Sequence, residues 1–268
     1  MDSGVKAKPV LVTGGTGYVG GRLIPLLLQR GYRVRAMARH PEKLACRPWG
    51  RHPALELTTG DALNAEGFRL AAQGCGAAFY LIHSMIAHSG AYAEADRRAA
   101  RHMAQAAAAG GLERIVYLGG LGASGQAPLS RHLRSRHEVE CILKAGPIPL
   151  TSLRAAMILG AGSASFEMLR YLVERLPMMI APRWIRTPCQ PIAIRDVLGY
   201  LVGCLEDPRT VGETFDIGGP EVTSYRDLIR IYAQEAGLPS RLVLTVPVLT
   251  PWLSAKWIHL VTPVPAAI

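Results

Sequence analysis

The sequence predicts an α/β fold, a doubly wound parallel sheet with helices on both faces, followed by a small α+β lobe. Three observations predict it. Short apolar runs alternate with amphipathic stretches of helical length through the first half. Residues 10–20, Val-Leu-Val-Thr-Gly-Gly-Thr-Gly-Tyr-Val-Gly, pass from an apolar run too short for a helix, through glycines, into a helical pattern. The 268 residues, 49% of them hydrophobic, are enough to bury a sizeable core.

The elements follow in order. A strand over 9–13 leads through a glycine-rich turn to a helix over 18–30, in which Pro25 removes one backbone hydrogen bond. Gly14 admits a tight turn, Gly17 has no Cβ to hold a pyrophosphate away, and Gly20 lets the helix lie close to the strand. With Thr16, Tyr18 and Val19, whose stretch offers unpaired N–H groups at a helix start, they form a candidate dinucleotide-binding turn. The spacing is Gly-x-x-Gly-x-x-Gly rather than the commoner Gly-x-Gly-x-x-Gly, so the flanking strand and helix carry much of the argument. Strands over 32–38, 54–58, 77–82 and 114–118 alternate with helices over 64–73, 90–109 and 130–145. The second half reads as a strand at 150–154, a helix at 165–175, a strand and helix within 192–205, a strand at 214–217 and a helix at 225–236. Loops rich in Gly and Pro separate these pieces. The expected division is a Rossmann domain over 1–160 and a lobe over 161–268 that does not fold independently and closes over a ligand at the C-terminal edge of the sheet.

The formal charge of +10 suits an anionic small ligand, an acidic membrane surface or nucleic acid. The basic residues are spread along the chain without the interleaved aromatics on which single strands stack, so no nucleic acid is expected. Five cysteines at 46, 75, 141, 189 and 204 form no Cys-x-x-Cys pair, and no signal peptide follows Met1, which together suggest a cytoplasmic protein with reduced thiols. Residues 242–268 are apolar but broken by Pro247, Pro251, Pro263 and Pro265, which argues against a spanning helix. That segment is expected to contact a second protomer or a membrane surface, or to mark where a further domain is missing.

Thr13 to Gly20, Gly60-Asp61, Tyr80-Leu81-Ile82-His83-Ser84-Met85 and Pro191 to Val197 resemble an atypical short-chain dehydrogenase/reductase, and the resemblance covers nearly the whole chain. Leu129 to Arg136, Gly162 to Glu167 and Phe215 to Pro220 are similar to a bacterial, NmrA-like and epimerase-like branch of NAD(P)H-binding proteins. Members of that branch commonly carry an extra C-terminal domain, expected to be absent here. The resemblance implies an oxidoreductase with an unidentified small-molecule substrate. In the family pattern Asp61 accepts from the adenine amino group, though it equally suits a plain turn aspartate. Ala62 and Leu81 fall beside it and on the next strand end as further cofactor contacts.

Charge favours NADP(H) and leaves NAD(H) admissible. NAD specificity usually needs an acidic residue about 20 positions past the turn, and residues 33–39 contain none. Arg39 can meet a 2′-phosphate or lie solvated on the surface, with Arg33 or Arg35 assisting on the same strand face. The family's catalytic Tyr-x-x-x-Lys pair corresponds to His132 and Arg136, four apart on one helix face, as proton donor and ribose holder. His132 also suits a plain helix surface. The family's serine falls at Gly119 or Gly120, with Ser124 a loop substitute. His83, at the end of the fourth strand, is either a wall of the nicotinamide pocket with Ser84 and Met85 or a structural histidine. No metal is expected, since His83 with His88 and His132 with His137 are each five apart. The open alternatives are a non-catalytic dinucleotide-binding redox sensor or assembly factor and a nucleotide-sugar epimerase, the latter lacking the same tyrosine.

Overall fold

The computed structural model describes residues 7–83, 91–122 and 130–246. In chain order the first part runs β1 (Val10–Thr13), α1 (Gly20–Gln29), β2 (Val34–Ala38), α2 (Glu42–Ala45), β3 (Leu55–Thr59), α3 (Ala65–Ala72), β4 (Ala77–Tyr80), α4 (Ala91–Gly110), β5 (Arg114–Gly120), α5 (Arg131–Lys144) and β6 (Leu150–Ala155). It continues with β7 (Ile158–Leu159), α6 (Ala164–Arg175), β8 (Met178–Pro182), β9 (Pro188–Cys189), β10 (Ile192–Ala193), α7 (Ile194–Glu206), β11 (Thr214–Ile217), β12 (Thr223–Ser224), α8 (Tyr225–Glu235) and β13 (Leu242–Val246).

Seven strands form one parallel sheet in the order β3-β2-β1-β4-β5-β6-β11, the predicted doubly wound Rossmann arrangement. Its middle strands β1 and β4 are buried along their whole length, as continuous apolar runs in a two-sided sheet must be. Helices α3, α4 and α5 pack one face through Phe68, Ala71, Ala72, Ala100, Met103, Ala107, Val139 and Leu143. The alanine run of α4 therefore serves more than helix propensity, because small side chains let that helix lie close to its neighbours. The order reverses between β1 and β4, and such a switch point opens a crevice at the C-terminal strand ends.

The described chain forms two compact units: residues up to Ala155 with Arg195–Ile217, and Ala156–Ile194 with the residues from Gly218 on. This differs from a single cut at residue 160. Thr214–Ile217 pairs with β6 as the sheet's edge strand, and α7 is tied to the first unit by its C-terminal end. Arg114 donates to the Cys204 carbonyl at 2.7 Å, and the Tyr32 hydroxyl donates to Glu206 at 3.2 Å. The second unit has its own core of Leu169, Leu172, Val173, Met179, Ile185, Tyr225, Leu228 and Ile229. Its short strands β7, β9 and β12 carry no periodic signal at two residues each. The parallel pair of β8 with β13 lay hidden in stretches read as loop and apolar tail. Among the described residues no helix is long and apolar enough to cross a membrane.

Candidate functional site

The glycine-rich turn sits at the switch point, clamped to the end of β4. The Thr13 hydroxyl, fully buried, donates to the Phe79 carbonyl at 3.0 Å and accepts from the Leu81 N–H at 3.3 Å. Gly14 follows with φ +73°, and a Cβ there would lie 2.7 Å from the Leu81 carbonyl oxygen, so both backbone and space demand glycine. A Cβ at Gly20 would collide with the Gly14 carbonyl oxygen. Thr16 and Gly17 are exposed in the turn, where the Gly17 N–H donates to the Gly14 carbonyl at 2.9 Å.

Helix α1 begins at this turn without a side-chain cap and without an acidic residue in its first turn. Other helices are capped from within: Asn64, Ser130, Ser163 and Ser224 each accept from a backbone N–H of the helix they precede. The Gly21 and Arg22 N–H groups close onto the Gly17 and Val19 carbonyls at 3.0 Å, so it is the N–H groups of Tyr18, Val19 and Gly20, with no backbone acceptor among the described residues, that together with the positive helix end fit a dinucleotide's pyrophosphate. Arg22 stacks on the Tyr18 ring at 3.9 Å and donates to the Tyr18 carbonyl at 3.1 Å, which fixes the start of the helix beside Val19. The Tyr18 hydroxyl is buried with no hydrogen-bond partner among the described residues.

Arg39 lies exposed just past the end of β2, with no hydrogen-bond or ion-pair partner among the described residues. Arg35 is not available to assist it. Its guanidinium is held at 2.8 Å by Glu56 and donates to the carbonyls of Ala71 at 3.0 Å and Gln73 at 2.6 Å, fastening α3 to the sheet. Asp61 makes an Asx turn, its Oδ1 accepting from the Leu63 N–H at 2.9 Å, and its other carboxylate oxygen has no hydrogen-bond partner among the described residues. The Ala62 carbonyl bonds His102 at 3.1 Å, so its side of the turn is anchored to α4.

At the ends of β4 and β5 the chain brings together residues far apart in sequence. His83 and His132 meet edge to face with ring centroids 4.7 Å apart. Neither His83 ring nitrogen has a hydrogen-bond partner among the described residues. Burial, then the Arg136 charge and His132, lower the His83 pKa to about 3; burial and Arg136 also lower that of His132, against a raising pull from Asp96. Both rings are therefore neutral near pH 7. Arg136 spans the two strand ends, donating to the Leu118 carbonyl at 2.5 Å and the Ile82 carbonyl at 3.4 Å, with its guanidinium 5.4 Å from the centre of the Tyr117 ring. Tyr117 cannot replace the missing tyrosine: its hydroxyl donates to the Arg136 carbonyl at 3.1 Å and burial pushes its pKa to about 12. At the family's serine position, Gly119 or Gly120, there is no hydroxyl, and a Cβ at Gly120 would press on a Leu133 methyl at 2.8 Å.

Sequence reasoning weighed His83 and His132 separately and missed their contact, because it depends on which strand lies beside which helix. It also missed Thr13, and the buried bond of 3.1 Å from Ser135 to Asp96 that locks α5 to α4. A polar residue closing a fully apolar strand was the available signal for Thr13; Asp96 had none. Ser84, Met85, His88, Ser124 and residues 247–268 lie outside the described residues.

A family model described as NAD(P)H-binding matches residues 14–165, more than half of the chain. The chain belongs to this NAD(P)H-binding family. The resemblance to atypical short-chain dehydrogenases/reductases agrees with its relatives. The divinyl chlorophyllide a 8-vinyl-reductase of Oryza sativa subsp. indica is 26% identical over 223 residues, covering 79% of this chain and 54% of that protein. A 3-beta-hydroxysteroid dehydrogenase of Mycolicibacterium neoaurum is 32% identical over 117 residues, 40% of this chain. The match spans 31% of that dehydrogenase, so the chain covers only part of the curated relatives it matches. Among solved structures, the Bordetella bronchiseptica enzyme WbmG in complex with NAD superposes with a TM-score of 0.74 at 17% identity, over 90% of this chain and 82% of that one, a likeness of fold.

Proposed function

We propose that this NAD(P)H-binding protein is an NADP(H)-preferring oxidoreductase acting on a small carbonyl or enone compound, with a catalytic corner that departs from the family's tyrosine and lysine. The observation that supports it most is the convergence on one strand edge of the uncapped glycine-rich turn and the His83, His132 and Arg136 corner. When bound, the nicotinamide supplies the hydride. The chain's own residues do the rest. The N–H groups of Tyr18, Val19 and Gly20 hold the pyrophosphate. Arg39 gives a 2′-phosphate charge-assisted hydrogen bonds worth roughly 1.5–3 kcal/mol, about a ten- to hundredfold preference over NAD(H). Arg136 keeps the ends of β4 and β5 in register and presents its remaining N–H groups to the ribose. His132, in its protonated imidazolium form, passes a ring proton to the substrate oxygen and is left neutral, and His83 walls the pocket and keeps water from it. Because the His132 pKa is lowered, turnover in the reducing direction rises as pH falls below the usual histidine range. Five free thiols suit a reducing cytoplasm.

A second reading has its own support. Two neutral histidines and an arginine occupied by carbonyl groups also describe a protein that binds the dinucleotide without turning it over, a redox sensor or assembly factor. Calorimetric titration with NADPH and NADH at one salt concentration, with Arg39→Ala as control, tests the cofactor. Tight NADPH binding lost in the variant supports the assignment, and equal affinity for both dinucleotides overturns the NADP(H) preference. NADPH consumption with a panel of carbonyls and enones then separates the readings: turnover lost in His132→Ala supports the enzyme, and binding without turnover on any of them supports the sensor.

A further inference from the structure

We propose that the β8–β13 sheet of the second unit is a docking face for an anionic membrane surface, on which the protein rests by side-chain insertion rather than by spanning. The two strands pair in parallel with Leu242 opposite Met178 and Leu244 opposite Ile180. Side chains alternate across a strand, so Met179, Ala181 and Val243 turn into the unit's core while these four turn outward. Met178, Ile180, Leu242 and Leu244 are 54%, 51%, 55% and 46% exposed. Large aliphatic residues set side by side on two adjacent strands form one apolar surface rather than scattered exposed residues.

Charge selects the occupant. Both strands come from stretches without a single carboxylate. Within the second unit, residues 175–194 contain Arg175, Arg183 and Arg186, and residues 236–246 contain Arg241, with no Asp or Glu in either. The turn beyond β8 exposes Arg183 and Arg186, and Trp184 between them is 45% exposed while its ring meets Tyr225 edge-on. Aliphatic residues with a tryptophan and arginines at their border match the boundary between acyl chains and anionic headgroups. A second copy fits less well. Each copy carries +10, and a self-complementary contact would bring like-charged borders together.

The test is flotation of the purified full chain with vesicles of phosphatidylcholine alone and with about a third phosphatidylserine. The double variant Ile180→Ser/Leu244→Ser serves as control, its fold checked by circular dichroism and thermal unfolding; both positions are exposed. The proposal expects binding to anionic vesicles at least tenfold stronger than to neutral ones, weakened about tenfold by the double variant and further by raised salt. Arg183→Gln/Arg186→Gln should lower anionic binding while leaving the weak neutral binding unchanged. Failure to float with anionic vesicles overturns it, as does binding that the double variant leaves intact. Self-association of the wild-type chain abolished by the same variant would assign the face to a second copy and equally overturn it.

Discussion

At the C-terminal edge of the sheet, the β1–α1 turn and the corner where β4 and β5 meet α5 are built on opposite principles. The turn works with backbone: its side chains are absent at Gly14, Gly17 and Gly20, its helix end is uncapped, and its clamp to β4 is a single buried threonine. The corner works with side chains: two imidazoles in contact and a guanidinium bridging two strand ends. The difference teaches what each can tolerate. A backbone site fails when an atom is added, whereas a side-chain site fails when one is removed, and only the second is sensitive to pH.

The largest expected effect comes from adding atoms to the turn. Gly20→Val drives a Cβ into the Gly14 carbonyl and pushes α1 away from β1. Overpacking of this kind costs roughly 1–3 kcal/mol, occasionally more. Displacing the backbone N–H groups at the start of α1 should weaken NADPH binding by at least about a hundredfold. Chemical denaturation and titration read the two effects separately. A variant that binds NADPH normally would break the comparison, since the backbone would then not be the ligand's main partner.

Removing atoms from the corner should cost somewhat less and act elsewhere. Arg136→Ala leaves the Leu118 and Ile82 carbonyls without their charged donor. A hydrogen bond to a charged group contributes about 1.5–3 kcal/mol, and the shorter of these two bonds carries most of it, so denaturation should show a loss of that order. Affinity for the adenosine half should change little, while any turnover should vanish. Lysine at this position rescues the charge without the planar fork, so Arg136→Lys is expected to recover part of the stability only.

The two regions also differ in how far a sequence discloses them. The turn was readable because backbone recognition needs glycines at fixed spacing between a strand and a helix, a pattern local enough to survive without tertiary information. The alternation that predicted the sheet is local in the same sense, and β1 to β6 fall within two residues of their expected bounds. The His83 and His132 contact was not readable, because the residues are distant in sequence and meet only once β4 lies beside β5 and α5 crosses above them. Arg35 misled for a related reason. Alternation along β2 was legible, but the Ala71 and Gln73 carbonyls that occupy the Arg35 guanidinium were not. The β8–β13 pair, a non-local parallel pairing inside stretches broken by proline, was missed altogether.

The pH response separates the regions without any ligand. His83 titrates near pH 3 when folded and near 6.5 when unfolded, so below about pH 6.5 the unfolded chain binds a proton that the folded chain refuses. Stability is thus lost as pH falls from about 6.5 toward 3, with a slope from this one group of up to about 1.4 kcal/mol per pH unit. His132, lowered in the same direction, adds to it. Denaturation midpoints at pH 7, 6 and 5 should fall more steeply for the wild-type chain than for His83→Gln. Parallel profiles would mean that the ring is hydrated when folded, and the corner would lose its claim to exclude water.

The smallest effect is the sharpest comparison, because it concerns the one feature the two regions share, a helix start. Ser130 caps α5, its hydroxyl accepting from the Leu133 N–H at 3.2 Å, where α1 has no such cap. Ser130→Ala should cost about 1 kcal/mol, the usual loss for an exposed cap. It should leave dinucleotide affinity untouched, since the α5 start is closed by the chain itself and not by a ligand. The loosened first turn holds His132 but not Arg136, a full turn further on, whose carbonyl bonds anchor it to the sheet. Turnover should therefore fall a fewfold while the affinity for NADPH stays constant. Were the affinity to fall as well, the start of α5 would be part of the dinucleotide site, and the division between a backbone end and a side-chain end would have to be redrawn.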